Sequence, residues 1–292
     1  MPRLARTAIA TAALAFAAAG AQAITLVGLT SAGQLARIDT ANIAGATTTA
    51  ITGLAAGDRL VGIDQRPADG KLYGVSVSNK VYTLDEMTGA ATEVAMLSSP
   101  VVQSNLGYGI DFNPVADFNS RTNPGVASLR LVSSAGSNFA INVGNGAVGN
   151  AASNIGTGYT AVAYTNSMAM QTMPPSTALY YINTSTDMLM MAPSAFNSPT
   201  ISPVGALGVD ALRANGFEIA NGMGYAALNM DDGSLGTGLF GIDLTTGAAM
   251  QLGTYNGTLT GLTVSAVPEP QTDALMLAGM AAVGLMARRR RS

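Results

Sequence analysis

From Ile24 to Ala266 the apolar residues come in short runs, many of them alternating with Thr, Ser or Gly, and the runs end at polar, turn-forming residues. Alternation over so few residues predicts strands rather than helices. One phrase recurs: an apolar strand ending in Asp or Asn, then a turn rich in Thr and Gly. It reads "QLARIDT" to Asp39, "KVYTLDEMTGAATEV" through Asp85 and "NFAINVGNGAV" through Asn142. It returns as "LYYINTSTD" through Asn183 and "LFGIDLTTGAAMQLG" through Asp243. An Asp or Asn side chain folds back on the backbone here and Gly accepts a positive φ, so each phrase predicts a hairpin. Successive anchors lie 46, 57, 41 and 60 residues apart, close to the size of a propeller blade once loops are allowed for.

A second phrase precedes most of these: "LVGIDQRP" (60–67), "GYGIDFNP" (107–114), "TAVAYTN" (160–166), "GFEIANG" (216–222) and "LTGLTVS" (259–265). These predict the innermost strands, where small residues let neighbours crowd around an axis. The last has no hairpin after it, while the first hairpin, "ITLVGLTSAGQLARID", has no inner strand before it. Pairing residues 258–265 with the N-terminal blade repairs both ends and removes the exposed edges. The predicted fold is therefore all-β and propeller-like, with about five blades. The uneven spacing leaves six blades or an open β-solenoid as alternatives.

Composition narrows the chemistry. The 292 residues are 48% apolar and 11% charged, with no Cys, His or Trp. That excludes disulfides, thiolate or imidazole metal sites and a Ser-His-Asp triad. Any catalysis would run on carboxylates, Lys, Tyr or Ser/Thr.

Both ends differ from the body. "MPRLARTAIATAALAFAAAGAQA" has basic residues at Arg3 and Arg6, an apolar stretch from Ala8 to Ala19 and a small-x-small site at Ala21–Ala23. This predicts a signal peptide over 1–23, cut by signal peptidase; an N-terminal membrane helix is the alternative. Residues 267–292 read "VPEPQTDALMLAGMAAVGLMARRRRS". The uncharged stretch from Ala274 to Ala287 is short for a membrane span. Arg288, Arg289, Arg290 and Arg291 suit cytoplasmic headgroups, and their stems can snorkel to relieve the mismatch. A short apolar helix at each terminus, outside the fold, and transient anchoring through the C-terminal one are expected. Removing both ends leaves 8 basic and 15 acidic residues, a net charge of −7, which argues against nucleic-acid partners.

Pro268-Glu269-Pro270, the apolar stretch and the arginine cluster resemble the PEP-CTERM sorting signal of Gram-negative bacteria. The resemblance implies an exosortase that removes the tail, release or attachment at the cell surface, and an association with exopolysaccharide and biofilm. A plain C-terminal anchor is the alternative. The body resembles an uncharacterised bacterial family, the domain of unknown function numbered 4394, through "GIDQRPADGKLYGV" (62–75), "YGIDFNP" (108–114), "AYTNS" (163–167), "VGALGVDA" (204–211) and "LTGLTV" (259–264). That likeness implies a propeller-like β fold and no known activity. One departure is the polar insertion "FNSRTNPGVAS" (118–128), read as a long loop.

Three sets of residues carry candidate chemistry. Asp64 and Asp111 hold the same place in two adjacent inner strands, which predicts a position at the channel mouth, with Glu218 as a third member. Such carboxylates suit acid/base hydrolysis of a glycan, cation binding, or capping of their own Asp-x-x-Pro turns. "NMDDGSLGTG" (229–238) offers Asp231 and Asp232 to calcium, without the alternate ligand spacing or closing Glu of a calcium loop; a hairpin tip is the alternative. Met168, Met170, Met173, Met188, Met190 and Met191 are thioethers that suit Cu(I) or pack core gaps. No resident cofactor is otherwise expected. The function these features predict is an exported surface or matrix-associated binding or structural module of unknown specific activity, with a carboxylate-dependent glycan hydrolase as the alternative.

Overall fold

The computed structural model describes residues 23–266, apart from 151–153, 169–171 and 231–235, and in it the apolar runs form strands. In chain order these are β1 (Thr25–Thr30), β2 (Gln34–Asp39), β3 (Asn42–Ala50), β4 (Leu60–Gln65), β5 (Leu72–Ser76), β6 (Lys80–Leu84), β7 (Ala91–Met96) and β8 (Tyr108–Phe112). After the helix α1 (Pro114–Ser120) come β9 (Leu129–Ser133), β10 (Asn138–Ile141), β11 (Val148–Gly149), β12 (Tyr159–Tyr164), β13 (Leu179–Asn183), β14 (Met188–Ala192) and β15 (Ser202–Ala206). The last five are β16 (Ala211–Ala220), β17 (Met223–Met230), β18 (Thr237–Ile242), β19 (Ala249–Tyr255) and β20 (Leu259–Val264). They pair into five four-stranded antiparallel sheets, and β20 opens the first: β20-β1-β2-β3, β4-β5-β6-β7, β8 to β11, β12 to β15 and β16 to β19. The protein is a five-bladed β-propeller, neither six-bladed nor an open solenoid.

The ring closes through β20. Leu26 faces Val264, Val27 faces Thr263, Gly28 faces Leu262 and Leu29 faces Gly261. Backbone bonds from Ser31 to Thr258 and from Ser265 to Thr25, each 2.9 Å, bracket the pairing. The first blade is thus built from both ends of the body, with β20 as its inner strand.

Each inner strand carries a small residue at the same place: Gly62, Gly109, Ala161, Gly216 and Gly261. The next blade's inner strand presses against that spot. A Cβ on Gly216 would sit 2.4 Å from the Leu262 backbone nitrogen, and one on Gly109 2.9 Å from the Thr160 carbonyl. Apolar side chains between the blades supply the rest of the packing, with Val27, Leu29 and Ile63 among those fully buried at the first blade boundary.

The Asp-to-Gly turns join the third and fourth strands and also dock onto the preceding blade. Asp85 Oδ1 accepts the backbone N–H groups of Met87 (3.0 Å) and Thr88 (2.8 Å), and Gly89 turns the chain at φ 72°. A Cβ on Gly89 would overlap the Ala50 carbonyl on β3 at 2.1 Å, so only glycine fits both the turn and the contact. Asn142 with Gly146 repeats this against Met96 on β7.

Two sequence expectations need correction. Asn183 ends β13 and leads to β14, the second and third strands of its blade, so it is not equivalent to the other anchors. The corresponding place after a third strand is Pro193, which gives the even steps 46, 57, 51 and 50. The insertion at 118–128 is not wholly a loop. Asn113 caps α1 by accepting the Ala116 N–H at 3.0 Å, Pro114 opens the helix, and Phe118 is buried beneath it. Asp117, fully buried, accepts from Arg66 Nε (2.7 Å), Ala68 N (2.8 Å) and Ser128 Oγ (2.9 Å), stapling the insertion to the loop after β4.

Among the described residues no helix is long and apolar enough to cross a membrane. The expected terminal helices, the signal peptide, and Pro268, Glu269, Pro270 and Arg288 to Arg291 lie outside the described residues.

Candidate functional site

The inner strands all begin at one end of the channel and finish at the other, because Leu60, Tyr108, Thr160, Ala214 and Thr260 line a single cavity together. Near the finishing end one column of side chains runs around the ring: Thr263, Asp64, Asp111, Ala163 and Glu218, from the first blade to the fifth. Asp64, Asp111 and Glu218 are 1%, 0% and 3% exposed. One carboxylate oxygen from each lies within 4.8 Å of the others. The ring therefore brings the three together, inside the channel rather than at an open mouth.

Their partners are mostly on neighbouring blades. Asp64 Oδ2 accepts the Phe112 N–H at 2.7 Å, and Asp64 Oδ1 accepts its neighbour Gln65 N–H at 2.7 Å. Asp111 Oδ1 accepts the Tyr164 N–H at 3.1 Å, while Asp111 Oδ2 is buried and meets no donor among the described residues. Glu218 Oε1 accepts from Ser167 Oγ (3.0 Å) and Ile219 N (2.8 Å). Capping of the strand's own Asp-x-x-Pro turn is not what the aspartates do; apart from the Gln65 bond, their partners are on the neighbouring blades.

Thr263 ties the cluster to the ring closure. Its Oγ1 lies 2.9 Å from both Asp64 Oδ1 and Glu218 Oε2 and accepts the Gln65 N–H at 3.2 Å. A hydroxyl has one hydrogen, so it donates to one carboxyl, and the second contact is a bond only if that carboxyl carries a proton. Electrostatics agree. Burial pushes the Asp64 carboxyl well above its ordinary range, and the Glu218 charge adds to this. Burial does the same to Asp111, with the charges of Asp64 and Glu218 behind it. Burial raises Glu218 too, partly offset by the Ile219 amide and the Thr263 and Ser167 hydroxyls.

The two channel ends differ in chemistry. At the finishing end, Glu218 lines a cavity of about 150 Å³ with Gln65, Ser167, Met168, Val264, Ser265 and Ala266. Here the chain leaves the ring: the Ala266 N–H donates to Gln65 Oε1 at 2.7 Å. At the starting end lies a cavity of about 490 Å³, within the range of small-ligand sites. Arg59 and Arg213 are its charged residues, with Asn105, Thr160 and Thr184 among the polar ones. Neither arginine makes an ion pair among the described residues. Asn215 reaches the cavity floor, where its buried Nδ2 meets no acceptor among the described residues. Between the ends, Ile63, Ile110, Val162, Phe217 and Leu262 narrow the channel to a space of about 10 Å³.

Of the other candidates, only some lie among the described residues. Asp231 and Asp232 lie outside the described residues, in the link between β17 and β18. Met188 and Met190 share one face of β14 while Met191 takes the opposite one, and Met190 packs in an apolar cluster around Tyr164 and Tyr181. Met170 lies outside the described residues. Thr263, Ser167, Arg59, Arg213 and Asn215 were missed from sequence. Stacking the five inner-strand phrases on their small residue would have placed Thr263 in the column of Asp64, Asp111 and Glu218.

Comparison with known proteins adds the family. Curated protein sequences give no match. Solved structures that resemble the chain include a calcium-binding protein, regucalcin, from Agrobacterium tumefaciens str. C58, at 16% identity and a TM-score of 0.42 over 75% of this chain and 65% of that one. Another is BamB from Moraxella catarrhalis, at 16% identity and a TM-score of 0.31 over 77% of this chain and 56% of that one. The chain thus spans less than two thirds of either. Residues 266–291 match the PEP-CTERM protein-sorting motif, which marks a secreted protein processed by an exosortase at the cell envelope. Residues 34–263 match the domain of unknown function DUF4394, and the chain belongs to that family.

Proposed function

We propose that the body, residues 24–266, works at the cell surface or in the matrix of a Gram-negative-type bacterium as a binding module for acidic exopolysaccharide in biofilm. Signal peptidase removes residues 1–23, and the exosortase acts on 267–292. The observation that carries this reading is the cavity of about 490 Å³ at the starting end of the inner strands, opposite the end where the tail leaves. Two arginines without ion pairs among the described residues are the cavity's charged groups, in a body whose net charge is otherwise negative. Donors of this kind suit carboxylates and hydroxyls of an acidic sugar.

The geometry favours binding over glycan hydrolysis. A glycosidase must bring the scissile oxygen against two carboxyls. Asp64 and Asp111 are buried, and neither lines the cavity at either end of the channel. Calorimetry with a polyuronate and with neutral dextran tests the reading. Heat with the polyuronate alone, weakened at least about tenfold by Arg59→Gln with Arg213→Gln, supports it. Equal binding by the double variant, or none by the parent, overturns it.

A further inference from the structure

We propose that Asp64, Asp111 and Glu218 hold one divalent cation of the hard, oxygen-seeking class, calcium in preference to magnesium, at the tail end of the channel. The donor set is carboxylate oxygen from three blades. With no Cys or His in the chain, it suits calcium rather than a thiophilic or imidazole-bound metal. Separations within 4.8 Å fit the size of the ion. Calcium binds oxygens at about 2.3–2.6 Å and so accommodates pairs up to about 5 Å apart, whereas magnesium dehydrates reluctantly and is seldom held in a cage of protein oxygens, which favours calcium among buried carboxylates.

A second observation, the hydrogen bonding of Asp111, points to a ligand. Asp111 is fully buried and only half used: Oδ1 takes the Tyr164 amide, and Oδ2 has no donor among the described residues. An unsatisfied carboxylate oxygen costs about 1–3 kcal/mol or more, and a cation between the three carboxyls satisfies it. Arg130, the buried cation paired across from Asp111 on β9, does not. It donates to Tyr164, Asn138 and Asn197 instead. Glu218 connects the cluster to the cavity of about 150 Å³ at the tail exit, so water and ion have a route in, and water can complete the shell. Because Asp64 and Glu218 also share Thr263 on β20, an ion here braces the strand that closes the ring.

The test is calorimetry and thermal melting of the purified protein, stripped with chelator and titrated with calcium chloride alone near neutral pH. One equivalent bound, a melting temperature raised by calcium and lowered by chelator, and a weaker response to magnesium are expected. Asp111→Asn, which keeps the Tyr164 acceptor, and Glu218→Gln should each weaken binding at least about tenfold. Asp231→Asn with Asp232→Asn should leave it unchanged. Absence of binding heat and of any melting shift in the parent overturns the proposal, as does binding lost only in the Asp231/Asp232 variant. Should both ring variants fail to fold, anomalous scattering from a lanthanide-soaked crystal decides: a peak between the three carboxyls supports the site, and a peak elsewhere overturns it.

Discussion

Asp64 Oδ2 accepts the Phe112 backbone N–H at 2.7 Å across the boundary between the second and third blades. An inner strand is the edge of its sheet, with no strand beyond it towards the channel. Side chains of the preceding blade supply the missing acceptor: Thr263 for Gln65, Asp64 for Phe112 and Asp111 for Tyr164. Ala163 has no acceptor to offer, and there Glu218 folds back on its own neighbour Ile219.

Replacing Asp64 with Ala should therefore destabilise the body by about 2 kcal/mol, because the Phe112 amide loses its acceptor in a buried place and Gln65 keeps only Thr263. Urea unfolding measures this. Asp64→Asn, which keeps one acceptor, should cost less.

The same column sets an unusual pH dependence. Asp64, Asp111 and Glu218 have carboxyls raised above their unfolded values. The folded state thus holds protons more tightly than the unfolded chain, so stability is greatest below the ordinary carboxylate range and is lost as pH rises towards the shifted values. Asp85 and Asp243, lowered by turn hydrogen bonds, act in the opposite sense, but both are exposed and screened. In chelator, the melting temperature should fall from pH 5 to pH 8. A rise over that interval would contradict the assignment.

Close approach of inner strands makes two glycines differ in tolerance. Gly216→Ala drives a Cβ into the Leu262 backbone at 2.4 Å, which cannot yield without moving β20. Gly62→Ala meets only the Ile110 side chain at 3.0 Å. The first should cost about 3 kcal/mol or more and the second about 1 kcal/mol, by denaturant unfolding.

The inner strands were legible in sequence because crowding at an axis demands Gly or Ala, and such residues recur at a fixed place in every phrase. Closure was legible because strand 258–265 lacked a hairpin. The blade alignment failed at Asn183, where an Asx turn joins a different pair of strands; local turn chemistry is the same in both places and carries no information about strand rank. Burial of Asp64 and Asp111 was also hidden. Whether a channel stays open depends on Ile63, Ile110, Val162, Phe217 and Leu262 meeting across it, which no single strand reveals. Asp117 was passed over because its partner, Arg66, is 51 residues away.

The exported protein should lack Arg288 to Arg291. Intact-mass measurement of protein recovered from the cell surface or medium checks this, and replacing Pro268 and Pro270 with Ala should leave the tail in place.

Hydrogen–deuterium exchange with and without a polyuronate bears most directly on the two-ended channel. Slower exchange at 59–61, 104–108 and 212–215, with residues 264–266 unchanged, is the expected result. Protection confined to the tail-exit end, or none at either arginine, would contradict the account.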